Sequence, residues 1–204
     1  MNEFAIPFGQ ERLAEMGESE SGAYNFYKVR LDRGELFADY ELALADALVE
    51  TLGDKRHIHE IGSGYGTFSW LMAGLGFHTV SLELDRLRYN GGVALWDAIL
   101  AGWTDIPGSV RFVNDRFPSA SLESDGACAV ITNLVATTTE VQRSAMLAAL
   151  TGYHLTIVDI DRFLVHATTP EQRIEVIDRF AAAGFNAHEY LDLGRSGNYY
   201  ALSI

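Results

Sequence analysis

The chain has 204 residues, of which 48% are hydrophobic and 21% are charged, and this composition excludes a disordered chain and fits a single globular domain. The formal net charge of -13 argues against nucleic acid and against an anionic membrane surface as partners, because both would be repelled. Cys128 is the one cysteine, the N-terminus lacks the basic and apolar segments of a signal peptide, and no uncharged run is apolar enough to span a membrane, so we expect a cytoplasmic protein.

Helical and extended patterns alternate along the chain from residue 36 onward. The spacing of apolar residues predicts, in order, a helix over 36–52, a strand over 57–61, a helix over 67–73, a strand over 79–83 and a helix over 86–101. Gly53 gives the first helix a C-terminal stop. Gly91 and Gly92 weaken the last of these helices by about 1 kcal/mol each relative to alanine.

The second half of the chain continues the alternation. It predicts strands over 110–113, 127–132 and 153–158, helices over 140–150 and 170–183, and two final strands over 187–191 and 199–204. Thr169, Pro170 and Gln172 form a capping box at the start of the last helix. The connection between the two final strands is too short for a crossover helix, so we expect them to form an antiparallel hairpin.

This order of elements predicts an α/β fold of the doubly wound, Rossmann-like kind. Its sheet would be mostly parallel, with helices on both faces and a C-terminal antiparallel hairpin. Residues 36–204 would form this domain, whereas residues 1–35 form an N-terminal arm rich in aromatic residues. Two interpretations of the arm stay open: a lid that closes over an active site, or a segment that packs on the domain or on a second subunit of a homodimer.

A glycine-rich turn follows the first predicted strand. The chain leaves this strand at Glu60 and runs through Gly62, Gly64 and Gly66 directly into a helix. Glycine allows backbone angles that are closed to other residues and lets a ligand approach the main chain without a Cβ in the way. The free N–H groups at the helix start can bind an anion, so we expect an anionic or nucleotide-like ligand at this end of the sheet.

Two details narrow the class of nucleotide. The dinucleotide-binding fingerprint would place its third glycine at position 67, where the chain has Thr67. The chain instead has an acidic residue, Glu60, followed by three glycines at alternate positions. Glu83 ends the next predicted strand, and a carboxylate there can accept hydrogen bonds from both ribose hydroxyls of an adenosine-containing cofactor.

These features resemble the class I S-adenosylmethionine-dependent methyltransferases. The run E-I-G-S-G-Y-G is similar to the first motif of that family, and Glu83 is similar to its ribose-binding acid. Further along, VRFVND and GACAVITNLV are similar to the third and fourth strands of the family. The resemblance implies S-adenosylmethionine as the cofactor and S-adenosylhomocysteine as its product.

The resemblance also implies roles for individual residues. Asp115 would lie near the adenine amino group with Arg116 and Phe117 beside the ring, and Asn133 would lie under the methionine part. Asp115 has a second interpretation, as a turn residue before Pro118. The implied cofactor-binding residues are Glu60, Gly62, Gly64, Tyr65, Gly66, Glu83, Leu84, Asp115, Arg116 and Asn133.

The expected reaction is direct displacement of a methyl group onto an oxygen or nitrogen atom of a small-molecule acceptor. The cofactor supplies the leaving group, so the protein mainly binds, aligns and excludes water, and no catalytic signature is required. A general base is needed only for an acceptor that binds in its protonated form. The candidate residues on the acceptor side follow the fourth and fifth strands and are Asn133, Asp159, Asp161 and His166, of which Asp159 and His166 are the candidates for this base. For the two aspartates a role as loop acids or helix caps is equally open.

Three other hypotheses remain at this point. His57 and His59 lie on one face of a strand and could hold a metal, but no third ligand is evident nearby, so we expect no metal site. A non-catalytic cofactor-binding protein of the same fold would have the same motifs. An NAD(P)-dependent oxidoreductase would share the glycine turn and the ribose acid, but Thr67 and the lack of room for a substrate domain disfavour it.

Overall fold

A seven-stranded sheet organises the chain. A computed structural model describes residues 29–30, 32–102, 104–124, 126–134, 139–163, 167–191, 193 and 198–204. The strands in chain order are β1 His57–Ile61, β2 His78–Leu82, β3 Ser109–Val113, β4 Cys128–Ile131, β5 Leu155–Asp159, β6 Ala187–Leu191 and β7 Tyr199–Ser203. Their order in the sheet is β3-β2-β1-β4-β5-β7-β6. Strands β1 to β5 pair in parallel, and β7 runs antiparallel to both β5 and β6, which confirms the predicted sheet and its C-terminal hairpin.

Five α-helices lie wholly within the described ranges. They are α1 Asp39–Leu52, α2 Thr67–Gly74, α3 Arg86–Gly102, α4 Glu140–Leu150 and α5 Pro170–Ala182, and a 3-10 turn, Ile160–Arg162, follows β5. The predicted capping box of α5 is present, because Thr169 accepts from the amide of Gln172 and the Gln172 side chain accepts from the amide of Thr169. None of these helices is both long and apolar enough to cross a bilayer.

Two predicted boundaries were wrong by a few residues. The first helix was predicted from residue 36, but α1 begins at Asp39, because the Glu41 carboxylate accepts the amide of Ala38 at 2.6 Å and so caps the helix there. The fifth strand was predicted from residue 153, but β5 begins at Leu155, because Tyr153 closes the end of α4 with an N–H bond to the Leu150 carbonyl at 3.1 Å.

Helices cover both faces of the sheet, as predicted. One face carries α1, α2 and α3 over two apolar clusters, which include Leu44, Leu48, Phe68 and Met72, and Leu95, Trp96 and Phe112. The other face carries α4 and α5 over a third cluster, which includes Ile61, Leu82, Ile131, Met146, Leu150, Val176 and Phe180. The described residues between β3 and β4 contain no helix, so this second face is covered mainly over β4, β5 and the carboxyl ends of β1 and β2.

Candidate functional site

The glycine-rich turn joins β1 to α2 at the carboxyl edge of the sheet. Gly62, Gly64 and Gly66 have φ angles of 75°, 60° and 72°, in the left-handed region that favours glycine. The amides of Gly62 and Ser63 donate to the Leu82 carbonyl at 2.9 and 3.0 Å, so the turn is tied to the end of β2. The glycines therefore serve a tight backbone path, as the sequence indicated.

The turn also packs closely against its neighbours. A Cβ atom on Gly66 would lie 2.8 Å from the Ser81 hydroxyl oxygen and 2.9 Å from a ring carbon of Phe112. A Cβ atom on Gly92, in the middle of α3, would lie 2.9 Å from the Tyr65 carbonyl oxygen and 2.9 Å from the same ring. Gly92 therefore lets α3 pack closely against the turn. This contact explains why α3 has a glycine at a position where glycine lowers helix stability.

Glu83 lies directly after β2 and is buried beside the turn. One of its carboxylate oxygens accepts the amide of Gly64 at 2.8 Å, and the other accepts the amide of Asp85 at 2.7 Å. Burial raises the pKa of Glu83 above its ordinary value, and these two backbone hydrogen bonds oppose the rise. A carboxylate has about four acceptor positions, so this geometry leaves some of them for hydroxyl donors of a ligand.

A cleft of about 260 Å³ opens at this edge of the sheet. Of the predicted cofactor-binding residues, it is lined by Gly62, Glu83, Leu84, Asp115, Arg116 and Asn133. The remaining lining residues are Ile61, Leu82, Arg88, Phe117, Pro118, Leu134, Gln142, Ala145 and Met146. The structure thus brings together residues from the ends of β1, β2, β3 and β4 and from the helices α3 and α4.

Four of the predicted binding residues do not line this cleft: Gly64 and Gly66, which belong to the turn itself, and Glu60 and Tyr65. Glu60 is buried under the turn, where its carboxylate accepts the amide and the hydroxyl of Ser69 at 3.0 and 2.6 Å, and burial raises its pKa to about 8. Tyr65 is buried in the cluster that contains Leu36 and Trp96. Contact of either side chain with a cofactor stays a prediction.

The segment that follows β3 forms one side of the cleft. The Asn114 side chain donates to the carbonyls of Glu83 and Leu84 at 2.8 and 3.0 Å and so fastens the end of β3 to the end of β2. Asp115 is exposed, and its carboxylate accepts the amide of Arg116 at 2.7 Å and the hydroxyl of Ser119 at 2.5 Å. The hydrogen bond from Ser119 lowers the pKa of Asp115. Asp115 thus has turn contacts and also a place in the cleft, and both interpretations of it stay open.

Asp159, the last residue of β5, and Asp161, two residues later, differ in their surroundings. The Asp161 carboxylate binds the Arg173 guanidinium at 2.6 and 3.2 Å and accepts a hydrogen bond from the Asn198 side-chain Nδ2 at 2.7 Å, which indicates a structural role. Asp159 is buried at the end of β5, accepts the amide of Asp161 at 3.0 Å, and lies 3.9 Å from the Arg162 guanidinium. Burial raises the pKa of Asp159 to about 6. The other candidate base, His166, lies outside the described residues.

A buried ion pair supports the turn from the N-terminal side. The Glu41 carboxylate, 3% exposed, accepts the Thr67 hydroxyl at 2.5 Å and pairs with the Arg30 guanidinium at 3.2 Å. Arg30 also donates to the Leu36 carbonyl. Since Thr67 is the first residue of α2, the segment before α1 is linked to the glycine turn. The rest of the N-terminal arm, 1–28 and 31, lies outside the described residues, so its role as a lid stays a prediction.

His57 and His59 lie near the other end of β1. His59 is buried, and its Nδ1 atom lies 2.9 Å from the Tyr153 hydroxyl oxygen. Over the part of the chain that the structure describes, no three or more His, Cys, Asp or Glu side chains are arranged to hold a metal ion.

Comparison with known proteins relates the fold to methyltransferases. No protein-family model and no curated protein sequence matches the chain. Among solved structures, it is similar to the glycopeptide N-methyltransferase MtfA, with a TM-score of 0.59 and 14% identity over 79% of this chain and 94% of MtfA. It is also similar to a protein of Methanococcus maripaludis assigned as an S-adenosylmethionine-dependent methyltransferase, with a TM-score of 0.61 and 18% identity over 90% and 92% of the two chains.

A third similar structure holds a ligand. It is the magnesium protoporphyrin IX methyltransferase of Synechocystis with bound S-adenosylmethionine, with a TM-score of 0.55 and 13% identity over 80% of this chain and 78% of that one. The chain therefore has the fold of the S-adenosylmethionine-dependent methyltransferases, as the resemblance of its motifs implied.

Proposed function

We propose that this protein is an S-adenosylmethionine-dependent methyltransferase that acts on an oxygen or nitrogen atom of a small molecule. The observation that carries the proposal is the position of Glu83. Its carboxylate is held by the amide of Gly64, within the glycine turn, and faces a cleft at the carboxyl ends of four parallel strands. In open α/β sheets, ligands bind at this edge.

The residues present fit the adenosine part of such a cofactor. The Glu83 carboxylate keeps acceptor positions for ribose hydroxyls, and Leu84 and Phe117 offer apolar surface for an adenine ring. Asp115 offers a carboxylate for the adenine amino group. At Gly62 an added Cβ would lie 3.0 Å from Leu134 and 3.4 Å from the Asn133 carbonyl oxygen, so glycine keeps open the space beside the turn.

Methyl transfer requires little of the protein beyond binding the cofactor and the acceptor and aligning them. When it is bound, S-adenosylmethionine supplies a methyl group on a sulfonium leaving group. Holding the acceptor in line can lower the barrier by roughly 7–11 kcal/mol without an acid or a base. Asp159 is our candidate for taking a proton from an acceptor that binds protonated, because it lies at the carboxyl end of β5 and a carboxyl with a pKa of about 6 is mostly ionised at neutral pH.

The net charge of the chain favours a small molecule over a nucleic acid as the methyl acceptor. The chain carries a net charge of -13, and such a field repels a phosphate backbone. An NAD(P)-dependent reaction is disfavoured, because the dinucleotide-binding fingerprint has a glycine where this chain has Thr67. The Thr67 hydroxyl instead donates to the Glu41 carboxylate.

The proposal is tested with S-adenosylmethionine that carries a deuterated methyl group. The protein is incubated with this cofactor and with separate pools of phenols, alcohols, amines and amino sugars, and labelled products and S-adenosylhomocysteine are measured by mass spectrometry. We expect labelled product from at least one pool, and none from the Glu83→Ala variant. If cofactor binds but no pool gives product, a non-catalytic cofactor-binding protein becomes the better description.

A further inference from the structure

A second polar cavity lies at the amino edge of the sheet. The parallel register places His57, His78 and Ser109 side by side on β1, β2 and β3, and the next row on the same face has His59, Val80 and Arg111. Neighbouring strands lie about 4.8 Å apart, so each row spans about 10 Å. The three histidines and the arginine therefore share one small patch of the sheet.

This patch is open because no described helix covers it. The helices α4 and α5 pack on β4, β5 and the carboxyl ends of β1 and β2, and the connection from β3 to β4 crosses the patch only as a loop. Ala120, Ser121 and Glu123 of that loop form one wall of an open cavity of about 620 Å³. The Arg111 guanidinium donates to the Ser121 carbonyl at 3.2 Å, which holds the loop against the sheet.

The cavity is separate from the candidate cofactor cleft. It is lined at the first residues of β1, β2 and β3, whereas the cleft is lined at the last residues of β1 and β2 and beyond the end of β3. His57 and Ile61 are the two ends of β1, about 13 Å apart for a strand of this length. The cavity lining shares no residue with the cleft.

The cavity also differs in charge from the rest of the molecule. His57, His59, His78 and Arg111 line it opposite one carboxylate, that of Glu123, although the chain as a whole carries a net charge of -13. The His57 and His78 rings lie 5.4 Å apart between centroids. The pKa of His59 is lowered to about 4; burial is the largest cause, and the nearby Arg111 and His57 act in the same direction. The Arg111 guanidinium carries a permanent positive charge in this cavity, and an anion bound beside it would be attracted to that charge.

The donors fit one chemical class of ligand. An arginine guanidinium presents a planar fork of N–H groups that matches the oxygen atoms of a phosphate, and imidazole N–H groups add further donors. Ser109 and Ser121 supply polar groups at the same cavity. We propose that this cavity is a binding site for a small phosphate-bearing molecule, held by Arg111, His57 and His78. This inference is independent of the proposed methyl transfer.

The test follows the imidazole resonances of the full-length protein by NMR. Inorganic phosphate is titrated at pH 6.5 and constant ionic strength, with chloride as the balancing ion, and glycerol phosphate is titrated separately. We expect saturable shifts of His57 and His78 with both phosphates. His154, which lies outside the cavity lining and binds the Ala127 carbonyl at 2.8 Å, should not shift.

The variant Arg111→Gln removes the guanidinium, and Arg143→Gln on α4 is the matched control outside the cavity. We expect Arg111→Gln to raise the dissociation constant for phosphate at least tenfold and Arg143→Gln to leave it unchanged. Circular dichroism and thermal unfolding, measured in parallel, report whether the Arg111 variant keeps its fold.

Three results would overturn the proposal. They are shifts that do not saturate, equal phosphate affinity in a folded Arg111→Gln variant, and a response to Zn²⁺ without any response to phosphate.

Discussion

At the scale of single residues, the three buried glutamates around the glycine turn have different tasks. Glu41 anchors the start of α2 through Thr67, and Glu60 fills the space under the turn and binds Ser69. Glu83 is the one of the three that lines the cleft. The pKa of each is raised, and burial is the largest cause in all three cases. Removal of each should therefore give a different phenotype.

Glu83→Ala should weaken cofactor binding. Each charge-assisted hydrogen bond that it would make to a ribose hydroxyl under this proposal is worth about 1.5–3 kcal/mol, and losing one corresponds to at least a roughly tenfold rise in the dissociation constant. Isothermal titration with S-adenosylhomocysteine measures this rise. Glu123→Gln, at the amino edge of the sheet, removes a carboxylate outside the cleft and should bind as the wild type does. Equal affinity in the Glu83 variant would show that the ribose assignment is wrong.

Glu60 should make stability depend on pH. Its pKa is about 8 in the folded chain, against an ordinary value of 4.5. Between these values the folded state holds a proton that the unfolded state has lost, so the free energy of unfolding should fall as pH rises, by up to about 1.4 kcal/mol per pH unit, and level off above pH 8.

Glu60→Gln keeps an acceptor for Ser69 but removes the titrating group. Urea unfolding from pH 5 to 8.5 should therefore show a flatter pH profile for Glu60→Gln than for the wild type. Parallel profiles for the two proteins would mean that Glu60 is not protonated in the folded state. Because Glu41 and Glu83 also have raised pKa values, some slope of the same sign should remain in the variant.

At the scale of helices and strands, local sequence signals placed most elements. The start of α5 was predicted correctly because its capping box, formed by Thr169 and Gln172, is readable in the chain. The start of α1 was not, since its cap depends on the Glu41 side chain bending back to the amide of Ala38. A local pattern of apolar residues does not show where such a bond starts the helix.

The cleft was only partly predictable for a similar reason. Residues in the glycine motif and at strand ends carry a signal in the chain, and six of them line the cleft. Arg88, Gln142 and Met146 line it because the order of the strands brings α3 and α4 beside the turn, and no spacing along the chain shows that approach. The same is true of Asn114, which links the ends of two strands.

The contact of α3 with the turn predicts an unusual effect of alanine at a helix position. Helix propensity alone would favour Gly92→Ala by about 1 kcal/mol. The added Cβ would lie 2.9 Å from the Tyr65 carbonyl oxygen, so α3 must move away from the turn. We expect Gly92→Ala to lower the free energy of unfolding in urea and to weaken S-adenosylhomocysteine binding. A variant that is more stable than the wild type and binds equally well would show that the contact is loose.

At the scale of the whole molecule, the sheet has two polar edges with different chemistry. The carboxyl edge has the glycine turn and the Glu83 carboxylate, which suit a cofactor with ribose hydroxyls. The amino edge has Arg111 and three histidines, which suit a phosphate. Both sites follow from the sheet order, because it aligns the ends of β1, β2 and β3. The absence of a described helix between β3 and β4 leaves the second site open.

The measurement that tests the central claim most directly is thermal unfolding with S-adenosylmethionine, S-adenosylhomocysteine, NAD and NADP in separate samples. A ligand at about 100 times its dissociation constant adds about 2.7 kcal/mol to the free energy of unfolding. For a chain of this size the midpoint should rise by roughly 5–11 °C. We expect this rise with the two sulfur-containing ligands only, and a smaller one in Glu83→Ala. A rise with NAD or NADP alone, or with none of the four ligands, would contradict the proposal of an S-adenosylmethionine-dependent enzyme.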